Sequence, residues 1–368
     1  MTGFRPPPYP YDRLEELRAI ADRHEGGCVD LSVGTPTDDP PDFTEEVFGH
    51  SGAERGYPFS NGSSAYRAAA ARWLNRRFGV DVDPSDVAAC IGTKELVAGL
   101  PHWLRLRTPS KDTVLYPAIS YPSYAMGATL AGCRAVPVPI APDGTLELGA
   151  IDEDDAARAV CLWVNSPANP TGALDDLDAA ARWGRSLGVP VFSDECYAEF
   201  TWTGPPHTIL ENGVEGVVAV HSISKRNNLA GVRAGFYAGD PELVEYLREL
   251  RKHAGFMVPG PVQALAAAAW DDDRHVEGQR ARYRARLERL CDIVSMLGAD
   301  PQMPHGGFYL WPPAPGGDAW AFARRLAEQV GMLVSPGEFY GPDASGHVRI
   351  AAVRPDTQID LLEQRLAG

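Results

Sequence analysis

Lysine is scarce in this chain of 368 residues. Lys94, Lys111, Lys225 and Lys252 are the four, and the remaining members of its 34 basic residues are arginines. The bias reads as coding composition, yet it narrows any chemistry that needs an amine nucleophile to four positions. Cysteine is sparse as well: six residues, at 28, 90, 133, 161, 196 and 291, with no Cys-x-x-Cys pair. That spacing argues against a zinc or thioredoxin-like site, and no metal is expected. Scattered thiols of this kind fit a reducing compartment, where they act as small buried hydrophobes. There is no G-x-x-x-x-G-K-[ST], no G-x-G-x-x-G and no G-x-S-x-G. A P-loop is thereby excluded, and dinucleotide and α/β-hydrolase signatures are missing. The longest uncharged stretch, residues 113–133, carries Pro117, Pro122 and several hydroxyl side chains, so it is not a membrane span. The opening MTGFRPPPYPYDRLEELR has no apolar core of the kind a secretory signal needs. A cytoplasmic protein is expected.

Positive charge is also in deficit: 49 acidic residues against 34 basic ones leave a net charge of −15. Nucleic acid and anionic lipid would repel such a chain, so neither is an expected partner. Hydrophobic residues at 44% and charged residues at 23% are ordinary for a globular protein with sizeable cores.

Short apolar runs at 113–117, 159–164, 189–192 and 217–220 alternate with amphipathic segments at 63–78, 121–132 and 174–187. Strands alternating with helices predict an α/β fold with a mostly parallel sheet covered on both faces. After Gly239 the sequence turns helical over 240–254 and 262–297. It returns to short strands near 307–311 and 347–351 and to a last helix near 358–366. A large α/β domain and a smaller α+β domain follow, with a boundary near residue 255.

Asp271, Asp272, Asp273, His275 and Glu277 form an acidic cluster. It reads as a solvated helix start, with acids at the positive end of the dipole, rather than as a metal site. His221 follows an apolar strand and reads as a core or supporting group. Cys196, inside SDECY, has no basic neighbour in sequence to make it a nucleophile.

Lys225, in HSISKRNNLAGVRAG, stands where the strand near 217–220 gives way to a loop. Ligands of open α/β sheets bind at the carboxyl ends of strands. A lysine there is either a surface residue or an amine that forms a Schiff base, and pyridoxal 5'-phosphate is the common carbonyl partner. That cofactor needs a buried carboxylate for its ring nitrogen, and Asp194 ends the strand near 189–193. Tyr197 follows within reach. Its phosphate needs N–H groups, hydroxyls and a cation. Gly92, Thr93 and Lys94 open a helix after a strand-like AACI, Ser222 lies three residues before Lys225, and Arg233 lies eight after it. Asn169, in NSPANPTG, can donate to the ring oxygen, and Tyr121, in YPSY, can stack on the ring.

With LSVGTP, GYPFSNG, IGTKE, YPSY, NSPANPTG, SDECY, SISK, GVRAGF and HVRIA all present in order, the sequence resembles the fold-type I aminotransferases of the aspartate aminotransferase superfamily. The resemblance implies that Lys225 carries the cofactor and moves the proton between the substrate Cα and cofactor C4′. It implies that Asp194 pairs with the pyridinium nitrogen, that Tyr197 and Asn169 bond the ring oxygen, and that Tyr121 stacks. Gly92, Thr93, Lys94, Ser222 and Arg233 would hold the phosphate. Tyr57 would reach the phosphate of the other subunit of a homodimer. Arg349 would grip the substrate α-carboxylate, and Gly34 would let the backbone approach that substrate. Residues 1–45 would pack with the small domain, 255–368, beside a large cofactor-binding domain, 46–254.

A narrower resemblance, carried by IGTKELV, SDECYAEFTW, RKHAGFMVPGPVQ and SPGEFYGP, points to actinobacterial N-succinyl-L,L-diaminopimelate aminotransferases. It implies transfer between glutamate and N-succinyl-2-amino-6-oxopimelate in lysine and diaminopimelate biosynthesis. Departures at Arg226-Asn227-Asn228 and at AAVRPDT, which adds Arg354, lie where substrate can be read. These four residues are candidates to read its distal anionic end, and solvated surface positions are an equal alternative. Other readings are an aminotransferase for aspartate, aromatic amino acids or kynurenine, and a C–S or cyclising lyase on the same fold. A transcriptional regulator with such a domain is not expected, since 30 residues precede Leu31 and the chain is acidic.

Overall fold

Residues 3–368 are described by a computed structural model. The chain divides into two compact units. The first comprises residues 3–34, 283–303 and 308–368, and the second 35–282 and 304–307. The expected boundaries at 45/46 and 254/255 both fall inside the second unit. Residues 35–45 and the helix that follows residue 255 belong to it, because that helix packs on the helix beginning at Ser64.

In chain order the elements are α1 (Glu15–Ala21), β1 (Val29–Asp30), α2 (Thr44–His50), α3 (Ser64–Phe78), β2 (Val87–Cys90), α4 (Thr93–Arg107), β3 (Thr113–Pro117), α5 (Ser123–Leu130), β4 (Arg134–Val138), α6 (Glu153–Ala157), β5 (Ala159–Asn165), α7 (Leu177–Leu187), β6 (Val191–Asp194), β7 (Val217–Ser222), α8 (Ile223–Arg226), β8 (Gly235–Gly239), α9 (Pro241–His253), α10 (Gly260–Asp271), α11 (Arg274–Met296), β9 (Tyr309–Leu310), α12 (Ala319–Val330), β10 (Met332–Leu333), β11 (Ser335–Pro336), β12 (Val348–Ala351) and α13 (Asp356–Ala367).

The second unit is built on a seven-stranded sheet in the order β2-β8-β7-β6-β5-β3-β4. Strands β3 to β7 run parallel, and β8 is antiparallel to both of its neighbours. Its central strands alternate between two cores. Leu162, Val164, Val191, Val217 and Ala219 enter one, and Trp163, Phe192, Val218 and Val220 the other. Both faces are therefore covered, which is why these strands read as continuous apolar runs. Local signals set the helices. In α7, Leu177, Ala180, Ala181 and Gly184 are buried at helical spacing, the Asp176 side chain accepts from Ala179 N–H, and Gly188 ends the helix at φ 63°. The consequence for function is positional: Asn165, Asp194 and Ser222 end three adjacent parallel strands at one edge.

In the first unit, β11-β12-β9 form a three-stranded antiparallel sheet and β1 pairs with β10. Leu14, Leu17, Leu287, Leu290, Phe322, Leu326, Ile359 and Leu362 are buried there. Among the described residues no helix is long and apolar enough to cross a membrane.

Candidate active site

At the carboxyl edge of the second unit's sheet, Asp194 is buried at the end of β6. The Tyr124 hydroxyl donates to its Oδ2 at 2.9 Å and the Cys196 backbone N–H lies 3.3 Å from Oδ1. Burial pushes the Asp194 carboxyl above the ordinary carboxylate range, opposed by these two hydrogen bonds. Burial and the nearby Asp194 charge hold the Tyr124 phenol far above its usual value, so it stays a donor. Asn165, opposite Asp194 in register, donates from Nδ2 to the Asp194 carbonyl at 2.8 Å and accepts from the Asn169 backbone N–H at 2.8 Å. The turn that carries Asn169 is thereby tied to the strand ends. Tyr197 is buried three residues beyond Asp194.

Beside it, Gly92 stands at φ 69° as the residue preceding α4. A Cβ there would fall 2.0 Å from Arg233 Nη2, so glycine is what lets the guanidinium lie against the start of a 15-residue helix. Arg233 itself adopts φ 64°, and its Nη1 donates to the Ala230 carbonyl at 2.8 Å. Ser222 Oγ lies 2.8 Å from Ser224 Oγ and 3.1 Å from the Ala234 carbonyl. Thr93 Oγ1 is 3.4 Å from Cys196 Sγ. The Lys94 amine lies 5.8 Å from the centre of the Tyr121 ring. The N-terminus of α4, two hydroxyls and an arginine can form an anion cradle. Lys225 is half-buried on the single turn of α8, directly after β7.

These groups fit pyridoxal phosphate. A buried carboxylate raised by desolvation calls for a positive partner, as a protonated pyridine nitrogen supplies. The glycine-floored cradle suits a phosphate, and the lysine supplies the amine. The structure brings these residues to one sheet edge and adds Tyr124 and Asn165, which the sequence motifs did not single out. Tyr124 lies within YPSY, which was read for Tyr121 alone. Tyr57 stands apart from them, 99% exposed on the segment before α3.

Arg349 and Gly34 belong to the first unit. Arg349, on β12, is 2% exposed. Its Nη2 donates to the Ser32 carbonyl at 2.6 Å and to Tyr11 Oη at 3.2 Å, and its guanidinium lies 4.3 Å from the Tyr309 ring centre and 4.8 Å from that of Tyr340. A Cβ on Gly34 would fall 2.0 Å from Tyr309 Oη, so that approach admits only glycine.

Two of the four candidates for the distal substrate end, Arg226 and Asn227, are corrected by their burial; Asn228 and Arg354 stay half-buried, each bonded to a backbone carbonyl. Arg226 is 2% exposed. It bonds Glu199 at 2.9 Å, Asp273 at 2.8 Å, Asn227 Oδ1 at 3.1 Å and the Ala269 carbonyl, and it lies over the Trp73 and Trp270 rings. Asn227 is fully buried with it. Arg354 Nε donates to the Asp30 carbonyl at 2.8 Å, and Asn228 Nδ2 to that of Asp39 at 3.3 Å. Buried cations hold acids rather than face solvent, because leaving either charge unpaired is costly.

The acidic cluster meets arginines: Asp271 meets Arg72 and Arg76, Asp273 meets Arg76 and Arg226, and Glu277 meets Arg77. His221 is buried 3.1 Å from Glu195, edge-on to Trp73. Burial drives the Cys196 thiol well above its usual value, so it is no nucleophile.

The family described as aminotransferase class I and II matches residues 27–366. The chain is 41% identical to 4-dedimethylamino-4-oxo-anhydrotetracycline transaminase OxyQ of Streptomyces rimosus, over 98% of this chain and 99% of that one. It is 37% identical to an LL-diaminopimelate aminotransferase of Desulforudis audaxviator, over 98% and 95%. A Thermus thermophilus structure named as a probable N-succinyldiaminopimelate aminotransferase superposes with a TM-score of 0.86 at 30% identity, over 97% of this chain and 99% of that one. The chain belongs to the class I and II aminotransferases, a pyridoxal-phosphate-dependent family of transaminases acting on amino acids and 2-oxo acids.

Proposed function

We propose that the enzyme moves an amino group between glutamate and N-succinyl-2-amino-6-oxopimelate, a step of diaminopimelate and lysine biosynthesis. The observation that carries the reading is Arg349, a planar fork lying against two tyrosine rings with Nη2 bonded to the Ser32 carbonyl. Such a fork matches a carboxylate, and both substrates present one beside the reacting carbon. The likeness to diaminopimelate-class enzymes supports the choice of acceptor.

Bound pyridoxal phosphate supplies the electron sink. Around it, Asp194 would keep the ring nitrogen protonated, with Tyr124 orienting the carboxylate. Gly92, Thr93, Lys94, Ser222 and Arg233 would hold the phosphate, and Asn169 and Tyr197 the ring oxygen, with Tyr121 against the ring. The Lys225 amine would take and return the proton at the substrate Cα. The active unit is a homodimer in which Tyr57 reaches the other subunit's phosphate.

A second reading is favoured by the identity to OxyQ and by the commitment of Arg226, Asn227 and Arg354 to internal partners: a 4-oxo-anhydrotetracycline-type ketone as amino acceptor. The test is steady-state kinetics with succinyl-diaminopimelate, LL-diaminopimelate, aspartate, kynurenine and aromatic donors, with 2-oxoglutarate as acceptor, and with the ring ketone as alternative acceptor. The first reading expects succinyl-diaminopimelate to have the highest kcat/KM. A tenfold advantage for another substrate, about 1.4 kcal/mol in transition-state preference, overturns it.

A further inference from the structure

The opposite edge of the second unit's sheet carries a cavity of about 330 Å³, within the ~300–1,000 Å³ range of small-molecule sites. It lies at the starts of β5, β6 and β7, away from the ends that bear Asn165, Asp194 and Ser222. The C-terminal ends of α4 and α7 and the start of α9 complete its wall. Leu104, Val160, Val189 and Leu243 contribute apolar surface.

The charges around it sort into spent and unspent groups. Asp240 is used twice: Oδ1 caps α9 through Glu242 and Leu243 N–H, and Oδ2 accepts from Gly216 N–H. Arg185 donates to the Glu215 and Gly213 carbonyls. Glu242 takes one Nη of Arg107 at 2.6 Å, while the other Nη is buried with no acceptor. Lys111 is half-buried, and its neighbour Asp112 is taken by Arg158 through two hydrogen bonds. Lys111 lines the cavity and, among the described residues, its amine is held by no ion pair. The Glu215 carboxylate is exposed at the rim, where water screens it. Two carbonyls of these helix ends accept internal bonds, Leu104 O from Thr108 and Gly184 O from the Val189 N–H.

A cavity with apolar walls whose lining includes a lysine amine outside any ion pair and an arginine with one N–H group lacking an acceptor suits an anionic head on an apolar body. We propose that this cavity is a second small-molecule site, independent of the catalytic one, for an organic carboxylate with an apolar body, read by Lys111 and Arg107.

The test is fluorine NMR titration of the cofactor-loaded enzyme, saturated with 2-oxoglutarate to occupy Arg349, with para-fluorobenzoate and with the uncharged para-fluorobenzamide. The acid should bind about tenfold more tightly than the amide or better. Lys111→Gln and Lys111→Glu should remove that preference while leaving amino transfer unchanged, and Glu215→Gln should not weaken binding. Equal binding of acid and amide, parent-like binding by the Lys111 variants, complete displacement of the acid by 2-oxoglutarate, or no binding at millimolar acid each overturns the proposal.

Discussion

Arg226 donates its Nε–H to the Glu199 carboxylate at 2.9 Å, with both side chains buried one residue beyond Lys225. Glu199 also accepts from Trp73 Nε1 at 2.8 Å and pairs with Arg77 at 2.7 Å. The cluster ties α8 to α3 and to the end of α10. Removing one partner leaves a buried charge behind, so Glu199→Ala should cost about 3–5 kcal/mol of stability. Denaturant unfolding of the cofactor-free protein checks this. A loss under about 1 kcal/mol would mean that the pair is not the anchor of α8.

Tyr124→Phe removes the side-chain donor to Asp194 and nothing else of similar size. A hydrogen bond to a charged group contributes about 1.5–3 kcal/mol, so cofactor affinity should fall roughly tenfold to a hundredfold. Equilibrium dialysis measures it. Asp194→Asn should still fold, because it removes a carboxyl that burial disfavours, but turnover should drop by orders of magnitude. Near-normal turnover in the asparagine variant would remove Asp194 from the ring-nitrogen role.

Lys225→Ala should lose both the cofactor's visible absorbance band at neutral pH and amino transfer. Full activity in this variant would move the reactive amine to Lys94, Lys111 or Lys252.

Asp175, whose Oδ1 accepts from Leu146 N–H at 2.7 Å, is raised by burial to about 6. Its folded-state value exceeds the unfolded one, so the folded protein binds the extra proton between them. Stability should fall as pH rises from about 4 to about 6 on this account and level off above. Asp175→Asn should flatten that slope and stabilise the protein at neutral pH, by up to about 2–3 kcal/mol. Thermal melts across pH for parent and variant provide the comparison. An unchanged slope would show that Asp175 is not its source.

Tyr57 is exposed on the single chain, and the proposed homodimer gives it a phosphate to bind. Mixing inactive Tyr57→Phe and Lys225→Ala subunits should restore part of the activity through hybrids that hold one intact site. No recovery despite demonstrated subunit exchange would rule out the shared site.

The strands at Thr113–Pro117 and Val217–Ser222 were legible because strands covered on both faces read as continuous apolar runs. The helix at Leu177–Leu187 was legible through its periodic buried face. Strand β4, Arg134–Val138, escaped the pattern because it is a largely uncovered edge strand containing Pro137. Strand β8, with glycine at both ends, lacks the usual apolar signature although every residue of it is buried.

The sequence by itself determined the α/β class, the alternation of the central strands and helices, and the residues proposed for the cofactor cradle. These depend on local pattern and on motifs at strand ends, which survive in one dimension. It also shows which residues follow Lys225, the proposed cofactor lysine, but not where they point. Only the tertiary structure decided that Arg226 turns inward to Glu199, 27 positions back, and to Asp273, 47 positions on. It likewise decided that Tyr124 reaches Asp194 across 70 positions. A charge next to a proposed catalytic residue reads in sequence as a substrate contact. Whether it meets ligand, solvent or a buried acid depends on which distant chain segment packs over it, and local spacing carries no record of that.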